Sequence, residues 1–261
     1  MNIWKYRAGQ LLSGALNKLI PHPCLLCRQD SDDAICQPCA AAYLNMPQQR
    51  CLQCAEPLPG PADASPLRCG SCLQKPPAFD RTLVVCDYAA PLDQVVLALK
   101  FGHQPGIARW MAKQLADAVV RSGAVSLPAY LCAVPLGQTR LSERGYNQSH
   151  EIARHLAATL GVPLNSPGML RLRDTAAQSA LSLERRKNNV RKAFAPSPDI
   201  IRRLRGAHVG LVDDVITTGA TLHEIAKMLK HFGAEKVSNY VFARTPTPAY
   251  LRKALVSRRP G

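Results

Sequence analysis

The sequence predicts an α/β protein in which a parallel sheet carries helices on both faces and is preceded by a small cysteine-rich module. Strand-like apolar runs alternate with helical patterns over most of the 261-residue chain after the cysteines. Several of these runs lack polar alternation, as strands buried on both faces do. All four Cys-x-x-Cys pairs fall before residue 75.

The elements follow in chain order. Apolar runs predict strands at 82–88, 130–136, 209–212 and 237–243, and helical spacing predicts helices at 92–99, 106–121, 147–160 and 222–232. Gly161 stands where a helix C-cap is expected. Ligands of parallel sheets bind beyond the carboxyl ends of the strands, so functional residues are expected there.

Residues 1–20 place apolar side chains on one helical face, with Lys5, Arg7 and Lys18 among them. No small-residue cleavage site follows, which argues against a signal peptide. No stretch of the chain is apolar enough for a transmembrane segment. The pattern favours an amphipathic helix that packs on the rest of a cytoplasmic protein, and contact with anionic lipid is the alternative.

Positive charge is concentrated in the C-terminal part of the chain. Residues 1–100 contain nine Lys or Arg and eight Asp or Glu, whereas residues 101–261 contain 24 and ten. The second part therefore carries +14 of the net charge of +15. Such a basic domain indicates a polyanionic partner, either nucleic acid, a phosphorylated ligand or an anionic membrane face. A solvated surface without a partner is the alternative.

The four Cys-x-x-Cys pairs are separated by 8, 11 and 14 residues, a spacing typical of zinc knuckles. Two pairs complete a closed four-sulfur site, so the chain is predicted to hold two structural zinc ions. The predicted ligands are Cys24, Cys27, Cys36, Cys39, Cys51, Cys54, Cys69 and Cys72. A disulfide framework is the alternative, but no export signal places these cysteines in an oxidising compartment.

Two arrangements of the cysteine pairs are open, a sequential one and an alternate, cross-braced one, and the shorter loops favour the sequential one. Residues 21–78 are rich in proline and poor in large apolar side chains, so this segment is expected to need the ions to fold. Cys86 and Cys132 lie in apolar runs and are expected to be buried thiols.

The run 209–221 carries the strongest functional signal. A strand ends in two adjacent carboxylates, and a Thr/Gly loop then leads into a helix. Backbone N–H groups at such a junction bind phosphate, glycine lets the backbone approach closely, and the carboxylates suit ribose hydroxyls. The predicted site consists of Asp213, Asp214, Thr217, Thr218, Gly219, Ala220 and Thr221.

Two basic stretches are expected at the same sheet edge. Arg140 and Arg144 follow the strand at 130–136 and suit pyrophosphate, because a guanidinium fork matches phosphate oxygens. Between residues 171 and 205, ten Lys or Arg outnumber three Asp or Glu. This segment suits a lid over a polyphosphate or a groove for a single nucleic-acid strand, and a solvated charge run is the alternative. Its candidate ligands are Arg173, Arg185, Arg186 and Lys187.

The run 209–221 resembles the motif that binds 5-phosphoribosyl 1-pyrophosphate (PRPP) in type I phosphoribosyltransferases. Together with the cysteine pairs, Leu99-Lys100-Phe101, Val134-Pro135-Leu136 and the motif at 144–149, the chain resembles the ComF family of competence proteins, and most closely its GntX-like branch. The resemblance implies a type I phosphoribosyltransferase fold behind a double zinc-ribbon module. It also implies PRPP bound with magnesium and the handling of incoming single-stranded DNA in the cytoplasm.

On this reading the chain has four parts. An amphipathic helix occupies 1–20, a double zinc-ribbon module 21–75, a phosphoribosyltransferase-like domain 80–246 and a basic tail 247–261.

Two functions follow from the resemblance and the charge. One is an enzyme that transfers ribose 5-phosphate from PRPP to an acceptor, with Asp213 and Asp214 as catalytic residues. The other is a catalytically silent scaffold that binds single-stranded DNA and an uptake helicase or membrane channel protein, peripherally at the inner membrane. No residue identifies the acceptor, and Phe194, the aromatic beside the basic segment, is expected in the core.

Overall fold

The computed structural model describes residues 22–44, 49–59, 68–102, 104, 106–123, 126–166, 168–172 and 193–247. The helix predicted for 1–20 and nearly all of the predicted basic tail lie outside these residues. Four candidate ligands also lie outside them, namely Arg173, Arg185, Arg186 and Lys187.

The described elements alternate between strands and helices after the cysteine-rich region. The strands are β1 (His22–Pro23), β2 (Asp30–Ser31), β3 (Arg81–Asp87), β4 (Tyr130–Ala133), β5 (Met169–Arg171), β6 (Phe194–Pro196), β7 (His208–Ile216) and β8 (Lys236–Arg244). The helices are α1 (Gln37–Leu44), α2 (Gly70–Gln74), α3 (Asp93–Phe101), α4 (Gly106–Arg121), α5 (Gln138–Arg144), α6 (Gln148–Leu160), α7 (Pro198–Leu204) and α8 (Ala220–His231).

A four-stranded parallel sheet in the order β3-β8-β7-β4 forms the centre of the fold. Successive side chains of a strand point to opposite faces, so each central strand contributes to two cores. Val212 belongs to the core that contains α3, α4 and α6, whereas Leu211 belongs to the core that contains α7 and α8. The predicted parallel sheet with helices on both faces is confirmed.

Local signals set the ends of several elements. The side chain of Asn147 accepts the N–H of Ser149 at the start of α6, and Gly161 ends that helix with φ 65°. β4 stops at Ala133, short of the predicted 136, and Pro135 in this stretch has no N–H to donate to a ladder. β7 is longer than predicted because its pairing with β8 continues past the acidic pair to Ile216.

The cysteine-rich region packs directly on the sheet. Thr82 of β3 donates its N–H to Leu52 O, and the side-chain amide of Gln53 donates to the carbonyl oxygens of Pro77 and Phe79. Ala78 donates its N–H to His223 Nδ1 on α8 at 2.9 Å. The stretch around Pro76-Pro77, where the sequence predicts a boundary between parts, is therefore hydrogen-bonded to both sides.

A buried ion pair makes the strongest of these connections. Arg244, the last residue of β8, donates from Nε and Nη2 to Glu56 Oε2 at 2.9 and 2.6 Å. Glu56 is 7% exposed and Arg244 is 5% exposed. The other carboxylate oxygen of Glu56 accepts the N–H of Thr247. Because both charged groups are almost fully buried, each depends on the other for solvation.

Replacing Glu56→Gln should lower the free energy of unfolding by about 3–5 kcal/mol, because the guanidinium of Arg244 stays buried without its counter-charge. Urea denaturation of the zinc-loaded protein measures the loss. The matched control is Glu151→Gln, which removes the carboxylate from the more exposed pair with Arg154 and should cost about 1 kcal/mol or less. Equal losses for the two variants would contradict this account of the buried pair.

Candidate functional site

The junction between β7 and α8 has the geometry of an anion site. Gly219 precedes α8 with φ 75°, a conformation that glycine adopts without steric cost. The first turn of α8 contains no acidic residue, and its N-cap residue, Gly219, has no side chain that could accept a helix N–H. The partial positive charge of this helix end is therefore not neutralised from within the helix. The hydroxyl of Thr218 accepts the N–H of Ala220 at 3.3 Å and shapes the loop.

The two predicted carboxylates lie immediately before this loop and have different partners. Ser149, in the first turn of α6, donates its hydroxyl to Asp213 Oδ1 at 2.8 Å. Lys100, near the end of α3, places its Nζ 2.9 Å from Asp214 Oδ2. Two helices, α3 and α6, thus meet β7 at the acidic pair, and Lys100 offsets one of its two negative charges.

Burial, followed by the adjacent charge of Asp214, raises the pKa of Asp213 to about 7. The hydrogen bond from Ser149 and the charge of Lys100 act in the opposite direction. Asp213 therefore changes its protonation near neutral pH and gains its negative charge most readily when a cation or hydrogen-bond donor approaches.

Arg144 approaches the same edge from the end of α5. Its Nη1 donates to Gln148 Oε1 at 3.0 Å, and its guanidinium lies over the ring of Phe101, 5.1 Å from the centroid. Gly145 then turns the chain with φ 75°. The next residue, Tyr146, donates its hydroxyl to the carbonyl oxygen of Leu99. The loop at 144–149 is thereby fixed to the end of α3.

Most of the predicted site residues therefore lie at one edge of the sheet, and the four candidate ligands of the basic segment lie outside the described residues. The structure brings together the acidic pair, the loop at 217–221 and the loop that contains Arg144. Arg140 lies one turn before Arg144 on α5 and is half-buried. Sequence reasoning missed the contacts of Lys100 and Ser149 with the carboxylates. The motif around Lys100 pointed to this residue, but its ion pair depends on how α3 packs against β7.

The eight cysteines form two separate clusters in sequence order. One contains Cys24, Cys27, Cys36 and Cys39, the other Cys51, Cys54, Cys69 and Cys72. All sulfur atoms of a cluster lie within 4.8 Å of one another. The sequential arrangement that the shorter loops favoured is the one the structure adopts. Cys86 and Cys132 are both buried, as predicted.

Each cluster fits one zinc ion. Zn–S bonds of about 2.3 Å in a tetrahedron place sulfurs about 3.8 Å apart. The Sγ atoms of Cys27 and Cys36 are 3.6 Å apart, as are those of Cys54 and Cys69. The thiol of Cys54 lowers the pKa of Cys51 to about 4 by donating to it, whereas burial raises the pKa of Cys72 to about 12. Four thiolates this close repel one another, and a divalent cation relieves that repulsion.

The two clusters repeat one local structure. In each, the first pair forms a tight turn in which the residue after the second cysteine donates its N–H to the first cysteine's carbonyl; these residues are Arg28 and Ala55. Both have positive φ, 66° and 58°. In each, the second pair lies at the start of a helix, α1 or α2. The module is thus a tandem repeat of a turn and a helix.

Comparison with known proteins agrees with the class that the sheet and the β7–α8 junction define. A family model described as a phosphoribosyl transferase domain matches residues 147–259. Among solved structures, the B. subtilis glutamine PRPP amidotransferase complexed with ADP and GMP is 19% identical, with a TM-score of 0.37. The match covers 56% of this chain and 30% of that protein. The match to the family model shows that the chain contains a phosphoribosyltransferase-type domain.

Relatives over nearly the whole chain identify the family. The DNA utilization protein YhgH of Salmonella typhimurium is 39% identical over 235 residues, which cover 87% of this chain and 98% of that protein. Competence protein F of Haemophilus influenzae is 32% identical over 227 residues, covering 85% and 96%. This chain belongs to the ComF family of competence and DNA-utilisation proteins. The resemblance read from the sequence motifs is confirmed.

Helices of the described residues show no span that is both long enough and apolar enough to cross a bilayer.

The raised pKa of Asp213 predicts a pH-dependent gain from Asp213→Asn. Between about pH 4 and pH 7 the folded protein keeps a proton that the unfolded chain has lost, so wild-type stability falls as pH rises through this window. Asparagine does not titrate, so the stability of the variant does not fall for this reason as pH rises. Its stability relative to wild type should therefore increase by up to about 1.4 kcal/mol per pH unit, measured by urea denaturation across the window. Lys100→Met should move the wild-type decline to higher pH. A difference that stays constant with pH would contradict the prediction.

The positive φ of Arg28 predicts that Arg28→Gly stabilises the zinc-loaded protein by about 1 kcal/mol, because glycine avoids the steric cost of this conformation. Thermal unfolding measures the gain. Arg28→Ala is the control, since it removes the exposed side chain but keeps the Cβ atom that causes the cost. A gain in both variants would attribute the effect to the side chain instead of the backbone.

Proposed function

We propose that this ComF-family protein binds PRPP with magnesium at the β7–α8 junction. The observation that carries the proposal is the N-terminus of α8, with a glycine at its N-cap and no acidic residue in its first turn, shortly after two partly neutralised carboxylates. A phosphate needs the first feature and ribose hydroxyls need the second. An ordinary strand-to-helix turn requires neither a buried acidic pair nor the lysine and serine that support it.

The 5-phosphate, the ribose and the pyrophosphate of PRPP each have a matching group of residues at this junction. The loop at 217–221 and the first N–H groups of α8 hold the 5-phosphate. Asp213 accepts a hydrogen bond from a ribose hydroxyl through Oδ2, the oxygen that Ser149 does not contact. Asp214 accepts one through the second lone pair of Oδ1, which already receives the N–H of Val215. Arg144, with Arg140 beside it and the basic stretch at 171–189, supplies positive charge to the pyrophosphate.

The carboxylates of Asp213 and Asp214 would hold magnesium that is bound with PRPP, and the ion would offset the charge of the pyrophosphate. The residues at hand fit this role for the ion, because the junction offers carboxylates and no cysteine or histidine cluster. Mg²⁺ prefers such oxygen ligands and keeps several of its waters.

Transfer of the phosphoribosyl group is the reaction that such a site supports. An acceptor nitrogen would form a bond to C1 of the ribose while the bond from C1 to pyrophosphate oxygen breaks, and pyrophosphate would leave with the bonding electrons. The basic groups at Arg144 and along 171–189 favour departure because they stabilise charge on the leaving group.

A second function, binding of single-stranded DNA without turnover, is favoured by charge. Residues 101–261 carry 24 Lys or Arg and ten Asp or Glu. Binding through phosphates would weaken steeply with salt. The near-neutral cysteine module suits a protein partner of the uptake machinery, a helicase or a membrane channel protein, and two structural zinc ions hold its fold. These roles fit a cytoplasmic protein that acts at the inner membrane.

Calorimetric titration of Mg²⁺–PRPP into the zinc-loaded protein tests the proposal. Wild type should bind saturably, and the double variant Asp213→Asn/Asp214→Asn should bind at least about tenfold more weakly because two charged acceptors are lost. The matched control is Asp199→Asn/Glu235→Gln, which removes two exposed carboxylates outside β7 and its loop. The control should bind as wild type does.

The outcomes separate the two functions. Absence of binding by wild type would sink the PRPP proposal. In that case, binding of single-stranded DNA, measured over a range of salt concentrations, would support the scaffold instead. Equal losses in the acidic-pair variant and in the control would show a nonspecific charge effect and would also overturn the proposed site.

A further inference from the structure

Phe101 is an exposed aromatic residue beside the proposed ribose site. Its side chain ends α3, and the residue is 63% exposed, although three other apolar side chains of this helix are fully buried. Phe194, the aromatic residue that follows the basic segment, is by contrast 8% exposed and belongs to the core. Phe101 therefore presents an aromatic surface to solvent that the hydrophobic core does not require.

The orientation of the Phe101 ring is fixed from one side. The guanidinium of Arg144 lies over the ring, 5.1 Å from its centroid, and is itself held by Gln148 Oε1. A planar cation on one face of a ring leaves the opposite face available for stacking. The hydroxyl of Tyr146 also anchors the loop after Arg144 to the carbonyl of Leu99. Two contacts, one made by Arg144 and one by Tyr146, thus hold the end of α3 and the loop at 144–149 together, and they fix the position of the Phe101 ring.

Three consecutive residues connect this ring to the acidic pair. The carbonyl of Leu99 accepts the Tyr146 hydroxyl, Lys100 is ion-paired with Asp214, and Phe101 stacks with Arg144. A flat group attached to a ribose at the acidic pair would thus have an aromatic face nearby. A nucleobase is the flat, polarisable group that ribose ligands carry, and bases stack on aromatic side chains with little dependence on their sequence.

We infer that Phe101 and Arg144 form a nucleobase-stacking platform next to the ribose site. The inference deepens the proposed function and rests on it for the position of the ribose. It assigns to the site a ligand class that carries a base, which is either a free acceptor base or nucleotide, or a base of a single-stranded nucleic acid. The shared chemistry is the π face of the base.

The test compares ligands that differ only in the base. Fluorescence anisotropy would measure binding of an oligothymidylate and of an abasic oligonucleotide of equal length. Competition would compare a nucleoside monophosphate with ribose 5-phosphate. Wild type should prefer the base-containing member of at least one pair, and the pair that shows the preference identifies the source of the base.

Three variants assign the preference to the ring. Phe101→Ala should weaken binding of the base-containing ligand about tenfold and leave the abasic ligand unchanged. Phe101→Trp should retain the preference. Leu97→Ala is the matched control, because Leu97 is an exposed apolar residue one turn earlier on α3 and should have no effect.

Two results would overturn the inference: no preference for a base in either pair of ligands, or an equal loss of the base-containing and abasic ligands in Phe101→Ala. Titration of Mg²⁺–PRPP into Phe101→Ala keeps this failure separate from failure of the proposed function. Normal PRPP binding without a base preference would reject only the platform. A base preference without PRPP binding would reject only the PRPP site.

Discussion

Two adjacent carboxylates near the carboxyl end of the buried strand β7 are the constraint on which the rest of this site depends. Like charges one residue apart in a low-dielectric environment are costly, and the protein offsets them with the ammonium of Lys100 and the hydroxyl of Ser149. These two groups come from different helices, so α3 and α6 must pack where they do for β7 to retain both acids. A sheet that needed only stability would place apolar residues there, as β7 does earlier along its length.

Much of the fold could be predicted because its signals are local. The bounds of α4 match the helical spacing, and Asn147 and Gly161 mark the ends of α6 through cap geometry that depends on neighbouring residues alone. The cysteine clusters could be predicted equally well, because the short spacing of each Cys-x-x-Cys pair and the short loops between pairs restrict which sulfurs can meet. By contrast, the length of β7 depends on its partner strand, which the apolar run at 209–212 does not reveal.

The candidate site likewise has some features that the sequence reveals and others that only the fold reveals. The acidic pair, the threonines and Gly219 form one continuous motif and could be recognised together. The ion pair of Lys100 and the exposure of Phe101 could not, because each depends on the rotation of α3 relative to segments far away in sequence. Burial of Glu56 against Arg244 is a similar case, since these residues lie in different parts of the chain and neither has a distinctive neighbour pattern. Contacts between segments that are far apart in the sequence can be identified only once the fold is known.

The position of Arg244 also connects metal chemistry to ligand chemistry. Its carboxylate partner follows the turn of the second cysteine cluster, and its own backbone pairs with Ile216, the residue before the loop at 217–221. A change in the second cluster would thus reach that loop through this ion pair and through the hydrogen bonds of Gln53 and Ala78, whereas the first cluster's region is ion-paired with α4 through Asp33 and Lys113. The two cysteine clusters are therefore not equivalent despite their common architecture. A metal ion at the second cluster would bear on the loop at 217–221, and one at the first cluster would bear on α4.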